Sequence, residues 1–194
     1  MADSPDKTFG LITPRDWLGK MRRELDRLER ANVKVDMADH AMNFAWTAWH
    51  MAEWVWPTLV AREDEAMSVK ANVDTALAGD SNWENEKPAS RFRQYLIRRE
   101  CPDLKLCGDI ANEAKHFLRR LASTSTVVSA RVPAPFAGPA HMAPFFFHPD
   151  FPQPDVEPIR WIAKIVTPDG KSDAIDKFRI VLDYWTRFLS EHEL

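Results

Sequence analysis

Asp109, Asn112 and His116 recur at helical spacing between apolar neighbours inside the stretch Asp103 to Arg120. On a helix that spacing lines them up on one face. An imidazole gives or takes a proton near neutrality and an amide can fix its orientation, so His116, Asn112 and Asp109 are the first candidates for chemistry. A second row lies upstream, where Asp36, His40, Asn43, Thr47, His50 and Glu53 follow one another at three- and four-residue steps. Met37, Phe44, Trp46, Trp49, Met51, Trp54 and their neighbours make the rest of that segment apolar almost all round, as a central helix requires. Polar groups on a buried helix must find partners or lose roughly 1–3 kcal/mol each. The row therefore predicts an internal hydrogen-bonded seam, with His40, Asn43, Thr47 and His50 supporting the Asp109/Asn112/His116 face.

The elements that must hold these rows are legible in order. Thr13-Pro14 offers a cap and a first helical position for an amphipathic helix running to about Arg30, with Trp17, Leu18, Met21, Leu25 and Leu28 as its apolar stripe. The central helix is expected from Asp36 to about Trp56, where Pro57 should stop or kink it. Thr58 to Leu77 reads as an acid-rich helical continuation, Asp80 to Pro88 as a loop, Ala89 to Glu100 as a short helix and Asp103 to Leu121 as the helix of the first candidates. Val127–Val132 and Ile159–Thr167 carry the β-branched composition of strands, antiparallel to each other. Between them, Pro133 to Pro158 holds eight of the chain's 14 prolines interleaved with Phe136, Phe145, Phe146, Phe147 and Phe151, which forbids helix or central strand and predicts an extended loop. Ser172 or Asp173 caps a closing helix. The expectation is a mainly α fold and a single domain over 1–194: a helical bundle at 13–121, a small two-stranded antiparallel β element at 122–170, and a closing helix at 171–192.

The segment Ala111-Asn112-Glu113-Ala114-Lys115-His116 resembles the Arg-Asn-x-x-x-His signature of the HEPN superfamily, small helical bundles that include RNA-cleaving toxins and phage-defence nucleases. The resemblance implies a homodimer in which two motifs meet, His116 near the ribose 2′-hydroxyl and scissile phosphate, and Asn112 orienting it. The signature's arginine falls on Ala111, so the cation for a phosphate would have to come from Lys115, Arg119 or Arg120. The resemblance thus implies a protein that binds or cleaves RNA, as a metal-independent ribonuclease or as a catalytically degenerate member.

Other readings stand beside it. The Asn/His seam can serve packing alone. The Pro/Phe-rich loop 133–158 can be the working surface of a non-enzymatic protein-interaction domain. His50-x-x-Glu53 with Glu113-x-x-His116 is the third, a di-metal carboxylate bundle, although Glu24 and Glu29 read as residues of charged faces and leave the glutamate set short. No metal or other cofactor is expected. The formal charge of −3 excludes a global attraction to nucleic acid, so an RNA contact needs a local patch. Such a patch is suggested by Lys87 to Arg120, rich in arginine and lysine, unless the acidic stretch Arg62 to Glu86 uses it up. Cys101 and Cys107 have neither metal nor disulfide-framework spacing, and no segment reads as a signal peptide or spanning helix, which together suggest a cytoplasmic protein without membrane contact.

Overall fold

A computed structural model of the chain describes residues 10–80, 85–115, 125–131, 160–167 and 170–194. The fold is mainly helical with a small antiparallel sheet towards the C-terminus. Its described helices are α1 (Pro14–Arg30), α2 (Lys34–Val60), α3 (Glu63–Ala76), α4 (Pro88–Tyr95), α5 (Leu104–Lys115) and α6 (Ala174–Glu191).

Helix α1 begins as its sequence dictates. The Thr13 hydroxyl accepts from the Asp16 N–H, and the Asp16 carboxylate accepts from the Thr13 N–H at 2.9 Å, which closes a capping box ahead of Pro14. Its stripe of Trp17, Leu18, Met21, Leu25 and Leu28 is buried against α2 and α6.

Helix α2 is the centre, packed by α1, α3, α4, α5, α6 and the sheet. It starts two residues before the expected Asp36, with no side-chain cap, and it runs through Pro57 to Val60. Proline removes one N–H and should end the helix. Here Pro57 lies so near the end that one further turn suffices, and that turn buries Leu59 completely. The Ala61 N–H then bonds back to the Pro57 carbonyl at 3.1 Å, and Arg62 adopts extended backbone. The acid-rich segment is accordingly a separate helix, α3, and not a continuation of α2; Val69, Val73 and Leu77 face the core.

Helix α4 passes into a π-helical turn at Leu96–Glu100, closed by the Cys101 N–H on the Leu96 carbonyl at 2.7 Å. Pro102 follows, and the residue before a proline is driven out of helical geometry, so the wide turn ends there. Helix α5 starts immediately afterwards. Leu104, Cys107, Ile110 and Ala111 are its buried positions, and Gly108 is where the Trp49 ring of α2 lies against its backbone.

The strands β1 (Ser125–Arg131) and β2 (Arg160–Thr167) pair antiparallel, Val128 opposite Ala163. A third short strand, β3 (Gly170–Asp173), extends the expected two-stranded element, with Ser172 opposite Ile165. Ala163 and Ile165 turn one side of the sheet into the core. Asp173 caps α6 through its carboxylate, which accepts from the Ile175 N–H at 2.8 Å. Phe178 of α6 stacks on Phe44 of α2 at 4.4 Å, joining the closing helix to the central one. The loop 133–158 lies outside the described residues.

Candidate functional site on the open stripe of α2

The polar row of α2 does form hydrogen-bonded pairs, with partners from α1, from α4 and from α2 itself. His40 Nδ1 lies 3.0 Å from Glu24 Oε2 of α1, and Thr47 accepts from Lys20 Nζ at 2.5 Å while donating to the Asn43 carbonyl at 2.6 Å. Glu24 is only 6% exposed and also takes Arg27 at 3.2 Å. Its reading as a residue of a charged face is therefore corrected: it falls on the edge of α1 that meets α2, where His40 and Lys20 make a carboxylate affordable. Glu29 does stay near the surface, paired with Arg179 of α6 at 2.8 Å. Burial pulls the Lys20 ammonium below its ordinary value, although Glu24 opposes the shift.

The second half of the row opens to solvent. His50 Nδ1 sits 3.0 Å from Glu53 Oε2 on the next turn, and its ring lies 4.7 Å from that of Trp46. Trp46 is 43% exposed and Met42, one turn before it, 44%. Trp46 in turn meets Trp17 of α1 at 6.0 Å, and Trp17 meets Trp54 at 5.0 Å. The expectation that Trp46 belongs to the core is thus corrected. Helix α1 covers the side of α2 that carries His40, Thr47 and Trp54, and α5 covers the side that carries Trp49. The arc between them carries Met42, Asn43, Trp46 and Glu53, all exposed, with His50 half-buried among them.

Arg93 of α4 closes one end of this arc. Its guanidinium lies 4.0 Å over the Trp49 ring, donates to the Trp49 carbonyl at 3.1 Å and reaches Glu53 Oε1 at 3.4 Å. Glu53 is thereby held between an imidazole and a buried cation. Partial burial pushes its carboxyl up, but His50 and Arg93 together outweigh that effect and hold it below the ordinary value. A carboxylate kept ionised beside Nδ1 fixes the imidazole orientation and leaves Nε2 as the working nitrogen.

The first candidates fall differently. Asp109 takes Lys105 Nζ at 2.8 Å, and Asn112 is exposed on α5 one turn beyond Gly108. His116, Arg119 and Arg120 lie outside the described residues, and Lys115 is described only as the last residue of α5. Among the described residues, His40, Thr47 and His50 meet Glu24, Lys20 and Glu53, and the expected contact with His116 falls outside them. Between α2 and α5 the Trp49 ring, not a polar residue of the row, lies against Gly108.

Part of the basic run is neutralised. Arg91 pairs with Asp74 at 2.7 Å, Arg98 with Asp80, and Arg93 with Glu53. Two of these three carboxylates belong to the acidic stretch, so the opposed local charges meet inside the fold. For the di-metal reading, no group of three or more His, Cys, Asp or Glu side chains is placed to hold a metal ion among the described residues. Nor is any described helix long and apolar enough to cross a membrane. Comparison with protein-family models, with curated proteins and with solved structures gives no match.

Proposed function

We propose that the chain is a HEPN-like helical protein that binds single-stranded RNA along the open stripe of α2, with His50 and Glu53 as a proton-transferring pair. The observation that carries this reading is the exposed Trp46 ring beside an imidazole that a carboxylate holds at 3.0 Å. An exposed aromatic ring stacks any base, a contact on the order of 1–3 kcal/mol, without demanding sequence. A histidine next to a stacked base is of the right type to take the 2′-hydroxyl proton as that oxygen attacks the phosphorus, while the departing 5′-oxygen receives a proton. His116 of the Asn-x-x-x-His segment is the second proton-carrying group of the proposal, and Asn112 its orienting partner. A dimer would bring two such segments into one assembly.

The test is incubation of a mixed RNA pool, in the presence of a chelator, with the wild type and with Trp46→Ala, His50→Ala and His116→Ala. Cleavage that falls at least about 100-fold in His50→Ala supports the dyad, in line with the usual size of a general-base contribution. RNA binding that weakens in Trp46→Ala without cleavage by any form supports a degenerate, binding-only member. RNA left unbound and uncut by the wild type sinks the proposal. In that event the exposed Met42 and Trp46 favour the second reading, a protein-interaction surface on the same stripe.

A further inference from the structure

Pro102 and Asp103 with the first turn of α5, β3 and the first turn of α6 line an open cleft of about 370 Å³ on another part of the molecule. Its polar lining is Asp103, Lys105, Lys171, Ser172 and Lys177, with Pro102 and Leu106 as apolar wall. Helix α5 sends one lysine there, and the consecutive elements β3 and α6, more than 60 residues further along the chain, send one each. With Lys177 paired to Asp103 and Lys105 to Asp109, the three ammonium groups still leave the cleft with an excess positive charge, that of Lys171, in a chain whose total charge is −3. Elsewhere three of the four arginines of α4 and the following turn, Arg91, Arg93 and Arg98, are matched by Asp74, Glu53 and Asp80.

The cleft lysines are paired less completely. Lys177 meets Asp103 at 3.0 Å and Lys105 meets Asp109 at 2.8 Å, each through one ammonium contact that leaves two further N–H donors. Lys171, on the edge strand β3, is exposed and makes no ion pair among the described residues. The two carboxylates bind the Lys105 and Lys177 head groups, and Ser172 adds a hydroxyl to the lining. A tetrahedral dianion satisfies this set, since it accepts from several ammonium groups and a hydroxyl at once. The volume is in the range of small-molecule sites, enough for a phosphate with a sugar attached.

We propose that this cleft is a phosphate-binding site, with Lys171 as its principal free cation and Lys105, Lys177 and Ser172 completing the shell. The ligand chemistry is a phosphomonoester, whether on a free nucleotide or at the 5′ end of an RNA. The inference does not rest on the α2 stripe, and its test leaves Trp46 and His50 untouched. Binding of inorganic phosphate, adenosine 5′-monophosphate and a short oligoribonucleotide with or without a 5′-phosphate is measured by titration calorimetry on the full chain. Lys171→Glu is the variant, because an exposed strand position tolerates the change, and circular dichroism confirms its fold.

The expected result is binding of the phosphorylated probes that weakens about tenfold or more in Lys171→Glu, as loss of a charge-assisted contact requires, and that falls with added salt. Nucleotide binding without a 5′-phosphate effect on the oligonucleotide assigns the site to free nucleotides; the converse assigns it to RNA ends. Failure of every phosphorylated probe to bind at millimolar concentration, or binding that Lys171→Glu leaves unchanged, overturns the proposal.

Discussion

Gly108 sets how closely α5 approaches α2, because a Cβ there would lie 2.3 Å from Cζ3 of Trp49. Alanine would favour the helix by about 1 kcal/mol, yet overpacking against a ring that Arg93 already covers costs about 1–3 kcal/mol. Gly108→Ala is therefore expected to destabilise the fold in urea unfolding, and Trp49→Phe in the same background to recover part of the loss. Glu24→Gln is expected to cost on the order of 1–3 kcal/mol, since it weakens the bonds of a buried acceptor that serves His40, Arg27 and Lys20. Both cysteines are buried and unpaired, and burial pushes their thiols up, Cys107 the further of the two. They should resist a thiol reagent in the native protein and react after denaturation. The stability linked to Glu53 follows from a folded value held below the ordinary 4.5. It is fully present above that pH and is lost as pH falls through the lower, folded value. Glu53→Gln should flatten this acid limb of a stability–pH curve.

At the scale of elements, helix periodicity and caps were readable because each depends on neighbours within one turn. Thr13, Asp16 and Pro14 specify the start of α1 without reference to the rest of the fold. Thr13→Ala should lower stability by about 1 kcal/mol, with the midpoint of chemical unfolding as readout. The Pro57 crossing and the break at Arg62 were not readable in the same way. Whether a proline ends a helix depends on what the next turn buries, and Leu59 is a long-range contact. The same limit governs the polar seam. The row of polar side chains on α2 announces that partners exist, but only the register between α1 and α2 decides that Glu24, and not Asp109, meets His40. One signal for Glu24 was available: it follows Lys20 and Met21 by four and three residues, on the margin of the α1 stripe.

For the molecule as a whole, charge is arranged in opposed blocks that meet: α3 and the loop after it carry carboxylates, and α4 and the turn beyond it carry the guanidinium groups that answer them. Composition showed the blocks, and the fold brings them together, leaving the Lys105/Lys171/Lys177 cleft as a positive surface formed from separate elements. No local pattern could have disclosed that cleft. The open arc of α2 was hidden for a related reason, since a helix apolar all round looks buried everywhere until its neighbours are placed. With α1 and α5 on either side, Trp46 and His50 are left facing outward, and the proposed function depends on that exposure. The most direct measurement is a fluorescence-anisotropy titration of a labelled single-stranded RNA with wild-type and Trp46→Ala protein. The account expects wild-type binding that Trp46→Ala weakens about 5- to 150-fold, the equivalent of one lost base stack. Equal binding by the two proteins, or none by the wild type, would contradict it.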